Sequence, residues 1–257
     1  MRRKGFPILR PLKLLAILVA ILFVAPAVAT AGWWSLVDRP GSWRSADWSS
    51  SGMLPAAPAR DEAAVYVLAA RTGGLKGAFS VHSWIVLKRP GSTRYERFDK
   101  VGWGSLIRRD GWAADGRWYS NAPEIVAMAE GARALDILRE MDAAIASYPH
   151  SHNGDYRIWP GPNSNSFVAH VLRAVPALGA TLPPNAAGRD YAPGVASFDL
   201  APDGRDLHVT LAGLAGFAVG ARSGVEVHFL GLVAGLDIAR PAVKIPAFGR
   251  VPLWPGS

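Results

Sequence analysis

The chain has 257 residues, of which 50% are apolar and 19% are charged, so it is long and apolar enough to bury a sizeable core. It contains no cysteine, which excludes disulfides, thiolate metal sites and a cysteine nucleophile. The formal net charge is +8, but five basic residues precede position 14, and the rest of the chain carries 23 Lys and Arg against 20 Asp and Glu. Nucleic-acid binding is therefore not predicted.

Residues 1–31 have the organisation of a signal peptide or an N-terminal membrane anchor. Basic residues precede an unbroken apolar run over 14–25, and Ala29-Thr30-Ala31 forms a small-x-small cleavage site. No charged residue lies between positions 14 and 37, a stretch long enough to span a bilayer. Cleavage and anchoring both stay open. In either case we expect the remaining chain to be exported, in the periplasm or anchored in the inner membrane facing the periplasm.

The exported part begins with an irregular lead-in and continues with alternating apolar stretches. Residues 32–60 are rich in Ser, Pro and Trp and predict a lead-in segment without regular structure. Residues 61–192 predict the α+β core. Within it, 63–70 and 79–88 are expected to be strands, and 94–101 is expected to pair back as a hairpin partner.

Two helices are predicted in the second half of the core, after a loop-rich stretch over 103–123. Helical spacing predicts a helix over 124–148, ended by Pro149. The apolar stripe expected to face the core on this helix consists of Leu135, Leu138, Met141 and Ile145. A second helix is predicted over 166–175, with Asn163 or Ser164 as its N-cap.

Residues 193–257 have a different character, with short alternating stretches separated by Gly-containing turns. They predict a β-rich C-terminal region, either a meander packed on the main sheet or a small second unit. The fold class is therefore α+β, with a central antiparallel sheet, packed helices and a Gly-rich β region at the C-terminal end.

The order of the polar residues indicates where chemistry could occur. One predicted strand carries His82, the next carries Glu96 and Asp99, and a helix begins within the run 163–168, Asn-Ser-Asn-Ser-Phe-Val. A nucleophile at a helix N-terminus gains from the positive end of the dipole and from free backbone N–H groups, which can stabilise an oxyanion. A histidine from a neighbouring strand would act as its base.

This arrangement resembles that of circularly permuted papain-like proteins, namely the permuted NlpC/P60 hydrolases and the lecithin–retinol-acyltransferase-like enzymes. His82 matches their strand histidine, and the run 163–168 is similar to their helix start, with serine in place of cysteine. The resemblance implies a papain-like core. It also implies amide or ester chemistry with Ser164 as nucleophile, His82 as base and Asp99 as the residue that orients His82.

The exported part also resembles an uncharacterised bacterial family known only as a domain of unknown function. The run at 156–167, Tyr-Arg-Ile-Trp-Pro-Gly-Pro-Asn-Ser-Asn-Ser-Phe, is long and unusual. Further matching runs lie at 81–85, 101–104 and 188–191. This resemblance brings no activity with it, but its register selects Asp99 rather than Glu96 as the acidic position.

Each candidate residue also has an alternative interpretation. The alternative for Ser164 is a helix cap, that for His82 is a hydrogen-bonded, half-buried histidine, and that for Asp99 is a surface charge. Asn163 and Asn165 are predicted to contact substrate, and backbone N–H groups near Ser164 together with the Asn165 side chain would hold the oxyanion.

The chain has ten tryptophans, of which Trp84, Trp103 and Trp159, with Trp112 and Trp118, are predicted to line a groove for sugar rings, acyl chains or headgroups. Core packing is the alternative. No cofactor is predicted. A metal site is not predicted either, because His150-Ser151-His152 has no acidic third ligand at a suitable spacing.

The sequence thus predicts an exported envelope protein whose enzymatic status is open. One hypothesis is a serine-dependent amidase or acyl-transfer hydrolase acting on cell-wall peptide or a lipid-linked substrate. The alternative is a non-catalytic binding or scaffolding module. The expected partners are the membrane, through an uncleaved N-terminal segment, and a peptidoglycan or lipid ligand.

Overall fold

The computed structural model describes residues 9–55, 61–103 and 107–254. A long helical segment opens the chain: α1 (Leu9–Val19) continues through a π-helical turn (Ala20–Val24) into α2 (Ala25–Leu36). Together they form an apolar helix over Arg10–Leu36, which by length and composition is able to cross a membrane. Residues 1–8 of the predicted signal or anchor lie outside the described residues.

The central sheet has five antiparallel strands in the order β4-β3-β2-β1-β5. Its strands are β1 (Ala64–Arg71), β2 (Val81–Lys88), β3 (Tyr95–Lys100), β4 (Ile107–Arg109) and β5 (Glu124–Glu130). The predicted hairpin is confirmed, because β3 pairs antiparallel with β2. The stretch over 103–123 also contains the short strand β4, which pairs with β3.

The prediction of one helix over 124–148 is wrong in its first part. Residues 124–130 form β5, which pairs with the otherwise free edge of β1. Gly131 then turns the chain with a positive φ of 61°, a conformation that favours glycine. The helix is α3 (Ala132–Ala146). Of the expected stripe, Leu138 and Met141 are buried, whereas Leu135 points to solvent.

Strands β1 and β2 of the central sheet are buried on both faces because they carry apolar residues at successive positions. Val65, Val67 and Ile85 pack toward α3 and α4 (Ser164–Ala174). Tyr66 and Leu68 face the opposite layer, which is rich in tryptophan. His82 also projects toward this layer, where its ring stacks on Trp118. The sheet therefore separates an aliphatic core from an aromatic one.

The C-terminal region forms a second, seven-stranded antiparallel sheet in simple meander order, as expected for a β-rich region. Its strands are β6 (Ala196–Leu200), β7 (Asp206–Leu211), β8 (Ala215–Gly220), β9 (Gly224–Phe229), β10 (Leu232–Asp237), β11 (Ala242–Ile245) and β12 (Gly249–Pro252). Arg71 donates to the Phe248 carbonyl at 2.7 Å, and Arg173 pairs with Asp199 at 2.8 Å. This sheet therefore packs against the rest of the protein, and the α+β class is confirmed.

Candidate functional site

Asn163, not Ser164, caps helix α4. The Asn163 side chain accepts hydrogen bonds from the backbone N–H groups of Asn165 and Ser166. In return, the Ser166 hydroxyl accepts a hydrogen bond from the backbone N–H of Asn163. This is a reciprocal capping box. Because Asn163 satisfies these two donors, the hydroxyl of Ser164, in the first helical position, is not used for capping.

His82 is held by the carboxylate of Asp99, which is in turn bound by the guanidinium of Arg97. Its Nε2 lies 2.9 Å from Asp99 Oδ1, and Arg97 binds both Asp99 oxygens, from Nε at 2.7 Å and Nη2 at 2.9 Å. Arg97 and Asp99 are fully buried, and His82 is 4% exposed. The His82 ring also lies flat on Trp118, with ring centroids 3.7 Å apart. The orientation of the imidazole is therefore fixed by packing and by hydrogen bonding.

The charges in this group determine which nitrogen of His82 carries a proton. Burial alone would raise the pKa of Asp99, but Arg97 and His82 hold that pKa below its usual value, so the carboxylate is ionised. An ionised carboxylate only accepts hydrogen bonds, and the Nε2 of His82 is therefore the protonated nitrogen. Burial lowers the pKa of His82 despite Asp99, so the ring is neutral at pH 7. Its Nδ1 consequently carries a lone pair.

A cavity of about 480 Å³ is lined by both the predicted base and the predicted nucleophile. His82, Ser164 and the two asparagines beside it line the cavity, as do Trp103, Trp118, Tyr119, Tyr156 and Trp159. Burial raises the pKa of the Tyr156 phenol, and the Ser164 hydroxyl, which lines the same cavity, opposes that rise. The neutral His82 and the Ser164 hydroxyl, which is not used as a helix cap, therefore line one aromatic cavity. Within the described residues, Ser164 and His82 are not hydrogen-bonded to each other.

The side chains of Asn163 and Asn165 are already occupied. Asn165 accepts from Ser83 at 2.8 Å and donates to the carbonyls of Val81 and Ala187, both at 2.9 Å. The amide nitrogen of Asn163 donates to the carbonyls of Ile158 and Ala187. The expectation that the Asn165 side chain holds an oxyanion therefore needs correction. The hydrogen-bonding groups of Asn165 instead connect α4 to β2 and to the loop that contains Ala187 (the 187 loop).

The predicted tryptophans have different positions. Trp103 and Trp159 line the cavity and are half exposed, as a ligand contact requires. Trp84 is 0% exposed, donates to the Ala114 carbonyl and lies beneath Arg97, whose guanidinium carbon is 4.0 Å from its ring centroid. Contact between Trp84 and a substrate is therefore excluded by its burial, and its contribution is to support Arg97.

Sequence reasoning missed two residues of the site, Arg97 and Tyr156. Arg97 could have been found, because it lies two positions before Asp99 on a strand and alternate residues share a face. Tyr156 had no local signal beyond its place in the long run at 156–167. A second cavity of about 520 Å³ adjoins the first and shares Trp103 and Tyr119 with it. Its remaining walls include Trp43, Trp48 and Trp112.

No group of three His, Asp or Glu side chains that could hold a metal ion occurs in the described ranges 9–55, 61–103 and 107–254. His152 is largely exposed and pairs with Asp155 at 3.4 Å. His150 packs by its ring edge against Tyr148 and Tyr191. The two histidines thus have separate partners.

The fold and the cavity define an α+β protein in which a neutral, carboxylate-bound histidine and a serine at a helix N-terminus line one cavity. By its sequence the chain belongs to the family described as protein of unknown function (DUF3750), whose model matches residues 62–191. That match covers the central sheet, both core helices and every predicted site residue. The comparisons with curated proteins and with solved structures gave no significant match. The resemblance to permuted papain-like proteins stays a prediction.

Proposed function

We propose that this protein is an exported, envelope-associated hydrolase or acyltransferase that uses Ser164 to attack an amide or ester carbonyl. The proposal rests on one observation: the neutral imidazole of His82, which Asp99 holds through Nε2, lines the same cavity as the hydroxyl of Ser164. That hydroxyl is not used to cap the helix. A serine hydroxyl needs an adjacent base to become nucleophilic, and a histidine oriented by a carboxylate is the usual one.

The proposed chemistry assigns a role to each group at the cavity. The Nδ1 of His82 takes the Ser164 proton as the hydroxyl oxygen bonds to the carbonyl carbon, and then gives that proton to the leaving amine or alcohol. Water or a second acceptor releases the acyl group in the same way. The charge on Asp99 and the buried Arg97 keep the imidazole in the tautomer that this step needs.

The oxyanion would be stabilised from the helix end. Asn163 occupies the N–H groups of Asn165 and Ser166, so the N–H of Ser164 is the first-turn donor left for a ligand. The Tyr156 phenol, whose raised pKa keeps it protonated, lines the same cavity and would supply a second donor. Aromatic walls suit a cell-wall peptide or a lipid-linked acyl group.

The absence of cysteine from the chain permits a direct test of the coupling between His82 and position 164. In Ser164→Cys the new thiol is the sole thiol, so its rate of alkylation by iodoacetamide reports this site alone. We expect alkylation at least about tenfold faster than that of an exposed reference thiol in Ser45→Cys, because a neighbouring base lowers the pKa of a thiol.

The same experiment includes a control for the histidine. Adding His82→Asn to Ser164→Cys should return the rate to that of an unactivated thiol, since only the base has been removed. Equal rates in Ser164→Cys with and without His82 would contradict the proposal. In the unmodified chain, a serine-directed fluorophosphonate should label Ser164, and Ser164→Ala should abolish that labelling while leaving the circular dichroism spectrum unchanged.

A second candidate is a non-catalytic binding module. It is favoured by the lack of a hydrogen bond between Ser164 and His82 in the described part of the chain, and by the structural use of both asparagine side chains. It predicts that Ser164→Ala retains full binding of a peptidoglycan fragment or lipid, whereas Trp159→Ala loses it. Titration of both variants with muropeptide, followed by tryptophan fluorescence, separates the two candidates.

A further inference from the structure

The outward surface of the C-terminal sheet is apolar at every position that the strand register aligns. One row of paired residues crosses all seven strands, and two shorter rows cross five. The long row is Leu200, Leu207, Val219, Val225, Leu236, Val243 and Val251; the second is Phe198, Val209, Phe217, Val227 and Ala234; the third is Ala196, Leu211, Ala215, Phe229 and Leu232. We call this surface the apolar face.

The apolar face is accessible rather than covered. Phe198 is 71% exposed, and Leu200, Leu211, Val227 and Leu236 are each more than half exposed. A soluble monomer rarely presents a continuous apolar surface of this extent, and such a surface marks an interaction site.

The polar residues of the same strands point inward. Glu226 is fully buried and binds Arg189 and Lys244, while His228 lies 3.5 Å from Asp190. Because Arg189 and Asp190 belong to the segment that follows α4, these ion pairs fix the polar side of the sheet against the core. The sheet is thus inverted with respect to a sheet of a soluble protein, which buries its apolar side.

The N-terminal helix lies next to the apolar face and indicates which kind of surface covers it. Phe23 packs edge-on against Phe229 with centroids 5.7 Å apart, and Trp33 lies 6.0 Å from Phe248. The rest of the helix surface, including Leu18, Ile21 and Leu22, is exposed and apolar. Its exposed surface therefore continues that of the sheet, and by its length and composition the helix is apolar enough for a bilayer.

A lipid surface fits the apolar face better than a protein partner does. Protein interfaces carry hydrogen bonds and a polar rim, whereas the three rows contain no polar side chain. The sheet is open, with β6 and β12 at its edges, and unpaired strand edges are not tolerated across the hydrocarbon region. The sheet must therefore lie on the membrane surface rather than pass through it.

We propose that the apolar face docks on the surface of a lipid bilayer together with the exposed apolar surface of the N-terminal helix, so that the sheet is a second, flat membrane contact. This contact would hold the protein in one orientation on the bilayer, with the ion pairs of Glu226 on the side away from the lipid. The proposal is independent of any catalysis at Ser164.

Site-directed fluorophores test this docking, again because the chain has no native thiol. A nitrobenzoxadiazole label is placed on Val227→Cys or Phe198→Cys in the apolar face, and on the matched control Arg139→Cys, an exposed position of α3. The full chain is reconstituted into phosphatidylcholine vesicles, with and without phosphatidylglycerol. Lipids with a doxyl group on the acyl chain quench from within the bilayer, and iodide quenches from water.

We expect both apolar-face labels to be quenched by doxyl lipid and protected from iodide, and the Arg139→Cys label to behave in the opposite way. Labels at 198 and 227 that stay open to iodide in vesicles would overturn the proposal, since the helix alone would then tether the protein. Protection without doxyl quenching, lost on dilution of the protein in the vesicles, would also overturn it and would assign the face to a second copy of the chain.

Discussion

The two sheets of this protein use the same strand alternation in opposite ways. In the central sheet, β1 and β2 are apolar on both sides and buried on both sides. In the C-terminal sheet, one side is polar and buried and the other is apolar and exposed. Alternation therefore establishes that a segment has two faces, but the surroundings decide which of them is inside.

The buried polar groups of the two sheets differ correspondingly. The central sheet buries a compact group in which Arg97 binds Asp99 and Asp99 binds His82, and this group borders a cavity. The C-terminal sheet buries a group centred on Glu226 that joins the sheet to the core. The first group orients a side chain for chemistry, while the second orients a whole sheet.

The largest effect is expected from breaking the second group. Glu226→Gln leaves the buried Lys244 without its carboxylate partner and Arg189 paired with Asp190 alone, and removing one partner of a buried ion pair costs about 3–5 kcal/mol. Urea unfolding of the full chain in detergent should show this loss. Asp203→Asn, which removes the exposed partner of Arg222, is the control and should change the unfolding midpoint little. An unchanged midpoint in Glu226→Gln would mean that these ion pairs do not hold the sheet.

A pair of identical substitutions compares the two sheets directly. Val67 is 0% exposed in β1, so Val67→Thr buries a hydroxyl without a partner and should cost about 1–3 kcal/mol. Val227 is 51% exposed in β9, and Val227→Thr should change the free energy of unfolding by no more than about 0.5 kcal/mol. Both are measured by urea unfolding in the same detergent. Equal costs would show that an ordered protein surface covers Val227.

Much of the fold was predictable because alternation and turns are local signals. The hairpin of β2 and β3 and the meander after residue 193 follow from such signals. Strand β5 was not predictable, because its Ala- and Glu-containing sequence has weak strand propensity and runs directly into the pattern of α3. Only the free edge of β1, a tertiary feature, makes 124–130 a strand.

The candidate site was predictable in its main residues and not in their roles. His82, Asp99 and Ser164 were named from their order along the chain and from resemblance. The capping role of Asn163 and the hydrogen bonds that occupy Asn165 depend on the 187 loop, which is distant in sequence. Trp84 was misplaced because it shares a strand side with His82, yet Arg97 covers its ring, which no sequence spacing indicates.

The smallest expected effect is the pH dependence that the central group imposes. Burial lowers the pKa of His82 in the folded state, whereas an unfolded histidine titrates near pH 6.5. As the pH falls below about 6.5, the unfolded chain binds a proton that the folded chain does not, so stability is lost until the lowered pKa is reached. His82→Gln cannot titrate at this position, and its unfolding midpoint should therefore fall less over the same interval.

The matched variant for this comparison is His152→Gln, which removes a largely exposed histidine and leaves the group of Arg97, Asp99 and His82 intact. A His82→Gln profile that also follows the unmodified chain would mean that folding does not shift the pKa of His82. An unfolding midpoint that falls more in His82→Gln than in the unmodified chain would mean that folding raises this pKa and that the folded ring is protonated. Such a histidine could not act as the base for Ser164, whatever its distance from the hydroxyl, since its Nδ1 would carry a proton rather than a lone pair. The pH profile thus tests the charge state that the proposed chemistry requires without the need for a substrate.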